Sequence, residues 1–311
     1  MMAGYIGIKT VLVAGIIAIA SAGGLSAQQV ITLDNDVCAR GLKALGDALQ
    51  SDIKTLTPAR KIAGTCKAQK VRLKGEEFEL EIGGLQWPSG TLIALESGKL
   101  PKTLNLTITR ARVISAPADD PIWGFFKAQS AGGKRMDAKL GFRYKAEENE
   151  LIVEQANVDF KNGNSISLRA RLGGVTAALA GNPAVATAGF LIKRIELRLA
   201  SGRTSSNPVL VAALDAIKED LKAKELGGQD FKKNLKTLVS QELGPTLDAG
   251  DVRDLQSLII DAPRAKDDIL LQMNSTSGFA MAPLLLIKPE DRLATVMSGF
   301  EVKFAYGPRA H

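Results

Sequence analysis

The sequence predicts an α+β protein: an antiparallel β-sheet meander, an N-terminal helix pinned by a disulfide, and a helical insert packed on the sheet. The apolar residues recur with period 2 through most of residues 68–200, and the period becomes helical over 207–262. Period 2 returns over 268–306. Strands, then helices, then strands within one chain are typical of the α+β class.

The N-terminal residues have the organisation of a secretory signal. Lys9 precedes an almost wholly apolar run, Thr10–Ala20, which is shorter than the roughly 20 residues of a membrane-spanning helix. Small residues follow, and we favour a signal peptide of residues 1–27 over one that ends at Ala22. The alternative is an uncleaved anchor. The prediction is therefore a periplasmic or secreted protein in which residues 28–311 form a single domain.

The chain has two cysteines, Cys38 and Cys66. In an oxidising compartment, an isolated pair without a neighbouring histidine predicts a disulfide, and the alternative is two unrelated buried thiols. Cys38 begins the apolar stripe of a helix predicted within residues 28–67 and closed by Pro58. A bridge would pin this helix to the first strand that follows. The stripe continues through Leu42, Leu45, Leu49, Ile53 and Leu56.

Alternating apolar and polar residues predict the strands of the sheet. Gly75-Glu76 joins the first pair as a turn, and Asn162-Gly163 is a strong hairpin signal within a three-stranded meander. We expect one face of the sheet to be apolar and the other to be solvated. The predicted strands are 70–74, 78–82, 91–95, 103–114, 136–144, 151–160, 166–172, 195–199, 269–273, 279–287 and 300–306.

Three helices are predicted in the insert. Asn207-Pro208 begins the first, which ends near Gly227, because asparagine caps helices and proline fits the first helical position. Asp230 caps the second, and the third spans 251–260. We expect these helices to cover one face of the sheet. The side chains expected to be buried there are Leu214, Ile217, Leu235 and Leu238.

The composition argues against most enzyme classes. The only histidine, His311, is the last residue, which argues against Ser-His and Cys-His nucleophilic sites and against most zinc sites. No glycine pair has the spacing of a phosphate-binding loop. The sequence therefore predicts no enzyme, no metal and no cofactor, with a hydrolase lacking a recognisable motif as an alternative. Aromatic residues make up only 5% of the chain, which argues against a nucleic-acid platform.

Cations recur on the polar faces of the strands, and the net charge is +7. Arginines at alternate positions of one strand share a face, and guanidinium groups hold phosphate in a bidentate fork. This pattern predicts binding or carriage of an anionic amphiphile such as a phospholipid. The alternative is a solvated face neutralised by the interleaved Glu150, Glu154 and Glu196. The arginines that carry the prediction are Arg169, Arg171, Arg194 and Arg198.

Three aromatic residues, Trp123, Phe125 and Phe126, gather in a long connection over residues 116–135. They predict a loop that touches a membrane or binds a protein partner. If the loop binds a protein partner, the chain would be a structural or adaptor protein of the periplasm. The alternative is that the rings fold back and plug one end of the core.

The meander over residues 151–175 reads Leu-x-Val, Ala-x-Val-x-Phe and then Ile-x-Leu-x-Ala-x-Leu-Gly-Gly-Val. This pattern resembles the strands of AsmA-like and related uncharacterised bacterial periplasmic envelope proteins. The likeness covers a small part of the chain, and the helical insert and a cleaved signal are departures from that group. The resemblance implies a place in the cell envelope and assigns no functional residue.

Overall fold

The structure is a computed structural model that describes residues 37–49, 51–76, 78–117, 121–175, 191–200, 231–244, 247–261, 265–280, 295 and 298–310. Within these residues, ten strands form one antiparallel sheet whose strand order follows the chain order. This confirms a β-rich α+β fold. The strands are β1 Asp52–Ile62, β2 Thr65–Lys74, β3 Glu79–Pro88, β4 Thr103–Ser115, β5 Met136–Lys145, β6 Glu150–Phe160, β7 Asn164–Gly173, β8 Leu191–Ala200, β9 Ile269–Ala280 and β10 Glu301–Tyr306.

Four α-helices lie in the described part of the chain. They are α1 Val37–Ala48, α2 Pro121–Gln129, α3 Phe231–Leu238 and α4 Ala249–Asp261. A π-helical turn, Val239–Leu243, extends α3, and a 3₁₀ helix, Thr91–Ser97, joins β3 to β4. The predicted signal peptide and the first helix of the predicted insert, with Leu214 and Ile217, lie outside the described residues.

Because each strand pairs with the next in antiparallel fashion, the connections alternate between two ends of the sheet. The first end carries the β1–β2 turn and the connections that follow β3 and β5. The second end carries α2 and the connections that follow β2 and β6. Along β7, Leu168, Ala170 and Leu172 are buried while Arg169 and Arg171 are exposed. One face of this strand therefore faces the core and the other faces solvent, as alternation predicts.

The predicted disulfide is confirmed: Cys38 in α1 is bonded to Cys66 in β2. The predicted length of the N-terminal helix is wrong, because α1 ends at Ala48 and residues 52–62 form β1. Ile53 of β1 pairs with Leu73 of β2, so sheet pairing overrides a spacing that happened to fit a helix. Leu56, the last residue of the predicted stripe, is 68% exposed.

Two further strand predictions need correction. Residues 91–95 form part of the 3₁₀ helix, whose flanking Gly90 and Gly98 have φ of 83° and 65°, a left-handed conformation that favours glycine. Leu92 is buried, and a three-residue turn places Leu95 beside it on the core. In the second case, residues 274–278 do not separate two strands, because β9 runs through them and pairs with β8 on both sides of an irregularity.

The insert packs in two layers in the region that the structure describes. Leu258 of α4 contacts the sheet cluster that includes Leu199 of β8 and Phe304 of β10. Leu235 of α3 is buried, as predicted, but it packs against Ile259 of α4 and not against the sheet. The side chain of Leu238 lies outside the described part. Helix α4 is therefore the described helix of the insert that packs on the sheet.

The two edges of the sheet are β1 and β10, and α4 covers the β10 edge. The buried Asp251 accepts a hydrogen bond from the backbone N–H of Phe304 at 3.0 Å, and Asp254 accepts one from Tyr306 at 3.1 Å. These carboxylates occupy N–H groups that an added strand would otherwise use. At the other edge, helix α1 packs against β1, where Ile53 lies beside Gly46.

Candidate functional site

The register of β7 and β8 brings the four predicted arginines together on the outward face of the sheet. Arg171 lies opposite Arg194, and Arg169 lies opposite Glu196, with Arg198 two residues further along β8. Each arginine side chain keeps between 44% and 64% of its surface exposed. The four arginines therefore lie together on one surface. We call these four side chains, together with Lys193, the arginine face.

Glu196 lies at the centre of the arginine face, and its side chain is only 6% exposed. Arg194 and Arg198 donate hydrogen bonds to opposite oxygens of this carboxylate, each at 3.2 Å. Arg169 forms an ion pair with it at 3.5 Å, and Gln272 of β9 donates a further hydrogen bond at 3.3 Å. One buried carboxylate thus fixes three guanidinium groups.

Glu150, the first residue of β6, is the second buried carboxylate, with a fully buried side chain. Its Oε1 accepts hydrogen bonds from Arg171 Nε at 2.7 Å and from Lys193 Nζ at 2.9 Å. The hydrogen bond from Arg171, followed by that from Lys193, lowers the pKa of Glu150 to about 2 against the opposing effect of burial. Its Oε2 is buried and has no hydrogen-bond partner among the described residues.

Gly173 makes room for the contact between Lys193 and Glu150. Gly173 pairs with Glu150 on one side and with Leu191 on the other. A Cβ at Gly173 would lie 3.3 Å from Cε of Lys193, so a larger residue would crowd the lysine chain. Lys193 is itself an extra residue, because the β7–β8 register shifts between Arg194 and Ile192. Such a bulge redirects a side chain, here toward a carboxylate on the outward face.

The arginine face contains both features that the sequence suggested, arginines that cluster and glutamates that lie between them. Five cations share two carboxylates, so neutralisation is incomplete. The alternative of a neutralised, solvated face also included Glu154. This residue does not join the group, because it accepts a hydrogen bond at 2.5 Å from Arg143 of β5. Lys193 has no signal in the alternating pattern of the sequence, since only the bulge in β8 gives it a place in this group.

The exposed guanidinium groups can bind an oxyanion. Each guanidinium has five N–H donors, whereas Arg171 and Arg198 each use only Nε in their hydrogen bonds within the described structure. Buried carboxylates restrict the conformations of these side chains, which reduces the entropy lost on binding a ligand. Among the residues that the structure describes, no group of three or more His, Cys, Asp or Glu side chains is arranged to hold a metal ion.

The aromatic segment forms helix α2 at the second end of the sheet. Phe125 is buried and meets the ring of Phe160 edge-on at 5.0 Å between centroids. Trp123 stacks on Phe78 of the β2–β3 connection at 4.9 Å. Trp123 and Phe126 both pack against the main core while remaining partly exposed. This arrangement has the geometry of a plug over the end of the core.

No protein-family model and no curated protein matches the chain. The disulfide indicates a non-reducing compartment, since thiols stay reduced in the cytosol. Among the described residues, no helix is long and apolar enough to cross a membrane. The arginine face therefore supplies the argument for function.

Proposed function

We propose that the chain is an exported, non-enzymatic envelope protein that binds an anionic amphiphile, such as a phospholipid, through the arginine face. Export through a cleaved signal of residues 1–27 is part of this proposal and is consistent with the disulfide. The observation that supports it best is that five cations share two buried carboxylates and keep exposed N–H donors on one surface.

The charge arrangement favours an anionic ligand. Arg171 and Arg194 are direct cross-strand neighbours, and like charges in this position destabilise a sheet. Glu150 offsets the repulsion for one and Glu196 for the other, but the group keeps an excess of positive charge. A phosphate would neutralise part of that excess. The planar guanidinium group can donate two parallel hydrogen bonds to phosphate oxygens, a geometry that an ammonium group lacks.

The test is vesicle binding by the mature protein carrying Arg169→Gln and Arg198→Gln. This pair leaves Glu196 with Arg194 and Gln272, whereas changing Arg171 would also remove a partner of the buried Glu150. Vesicles contain equimolar phosphatidylcholine and phosphatidylglycerol. Binding should weaken by at least about tenfold and should decrease further as salt screens the exposed charges.

The matched control removes the same charge elsewhere on the outward face, with Lys139→Gln and Arg143→Gln on β5. If both double variants lose affinity equally, net charge explains binding and the arginine face is not a site. Mass spectrometry of an organic extract of the purified protein gives an independent readout. A lipid-free extract, together with a protein partner captured through α2, would favour the adaptor function.

A further inference from the structure

The β1–β2 hairpin ends in a turn that exposes an aliphatic side chain. Ala63 and Gly64 form the turn, with φ of 47° and 76°, values typical of a tight two-residue hairpin loop. Ile62 precedes the turn and is 52% exposed. We call residues 60–67 the hairpin tip.

Cations surround Ile62 on the hairpin tip. Arg60 and Lys67 are cross-strand neighbours, and Lys61 lies opposite Cys66. All three cations are exposed, and none of them forms an ion pair with an acidic residue in the part of the chain that the structure describes. This distinguishes them from the arginines of the arginine face, each of which is held by a carboxylate.

The hairpin tip is rigidly supported. Cys66 is bonded to Cys38 of α1 and pairs with the fully buried Trp87 of β3. The backbone N–H of Ser89 donates a 2.8 Å hydrogen bond to the carbonyl of Gly64. Since the turn is fixed in this way, Ile62 is presented to solvent without the entropy cost of ordering a mobile loop.

We infer that the hairpin tip docks on an anionic bilayer surface, with Ile62 inserted at the headgroup boundary and Arg60, Lys61 and Lys67 against the lipid phosphates. Exposed apolar side chains ringed by cations bind anionic membranes by apolar burial and electrostatic attraction together. This surface is separate from the arginine face, because β1 and β2 lie at the opposite side of the sheet order from β7 and β8.

The position of the hairpin tip fits a bilayer better than a protein strand. Pro58 and the register shift between Thr57 and Arg60 interrupt the free edge of β1, which opposes addition of a strand there. The tip also lies at the first end of the sheet, where Glu150 begins β6 and β7 ends at Gly173. A membrane against this end would lie near both the tip and the Arg171 part of the arginine face.

The experiment compares Ile62→Ser with Leu56→Ser, a change of an equally aliphatic and more exposed residue on the same strand. Co-sedimentation uses vesicles of equimolar phosphatidylcholine and phosphatidylglycerol. Ile62→Ser should weaken binding about fivefold, because full burial of an aliphatic side chain changes affinity by roughly ten- to a hundredfold and Ile62 is already half buried. Leu56→Ser should bind like the unmodified protein. Lys61→Gln and Lys67→Gln should each weaken vesicle binding about fivefold.

A second measurement uses Ile62→Trp, whose fluorescence should shift to the blue when these vesicles are added. Equal binding by the two serine variants, or an unshifted emission spectrum, would overturn the inference. Tip-dependent capture of an acidic protein without vesicle binding would also overturn it, and would assign the surface to a protein. If Arg169→Gln and Arg198→Gln raise the vesicle concentration needed for half-maximal binding, and the bound protein still shows the full blue shift at position 62, the two surfaces act independently.

Discussion

Replacing Glu150 with glutamine should destabilise the protein in a pH-dependent way. The pKa of Glu150 is lowered from 4.5 to about 2, first by the hydrogen bond from Arg171. A shift of this size corresponds to about 3 kcal/mol of stability. Because Arg171 and Lys193 are 50% and 32% exposed, solvent screening reduces this to about 2 kcal/mol. Glu150→Gln should lower the free energy of unfolding by that amount at pH 7.

The pH dependence follows from the direction of the shift. Since the folded pKa lies below the unfolded value, the unfolded chain binds more protons as the pH falls below 4.5. The stabilisation by Glu150 is complete above that pH and is lost as the pH approaches 2. The difference between the unmodified protein and Glu150→Gln should therefore shrink to less than half by about pH 3.

Urea unfolding at constant ionic strength from pH 7 to pH 3 measures this difference. Glu154→Gln is the matched control, because Glu154 lies on the same strand and its ion pair with Arg143 is about half exposed at both ends. Glu154→Gln should lower the free energy of unfolding by less than about 1 kcal/mol. A Glu150→Gln protein as stable as the control, or a difference that does not change with pH, would refute the argument that buried ion pairing fixes this part of the arginine face.

Two more predictions concern the fold. Removing the bridge with Cys38→Ala and Cys66→Ala should destabilise the protein by roughly 3.5 kcal/mol, because the disulfide closes a loop with a sequence separation of 28. Thermal unfolding of the oxidised and variant proteins measures this difference. Equal midpoints would contradict the prediction. Leu235→Ala should cost about 2–5 kcal/mol if α3 and α4 unfold together with the sheet. A separate low-temperature transition in calorimetry would show instead that α3 unfolds alone.

Much of the sheet could be predicted from the sequence because its signals are local. The alternation of apolar and polar residues predicted the bounds of β4 to β7 to within a few residues. Asn162-Gly163 marked the β6–β7 hairpin, whose Gly163 has a φ of 89°. The disulfide followed from the cysteine count and the export signal. The strands and the hairpin depend on neighbouring residues, and two cysteines allow only one pairing, so no tertiary information was needed to infer these features.

The misassigned segments lie where tertiary contacts override the local pattern. Ile53 satisfied a helical spacing, yet it forms part of a strand because β2 supplies a partner for its backbone. Residues 91–95 resembled a strand, but left-handed Gly90 and Gly98 close a 3₁₀ helix that places Leu92 in the core. Pairing between distant segments has no signature within either segment, and this limits prediction from a single sequence.

The sequence by itself determined that arginines recur at alternate positions, and therefore that each strand presents them on a single face. Only the tertiary structure decided how β7 and β8 are aligned, which places Arg171 opposite Arg194 and Arg169 opposite Glu196. It also decided that Lys193 reaches Glu150 over Gly173. The physical reason is that side-chain direction along a strand follows from local backbone geometry, whereas register and bulges follow from the pairing of segments that are apart in the chain.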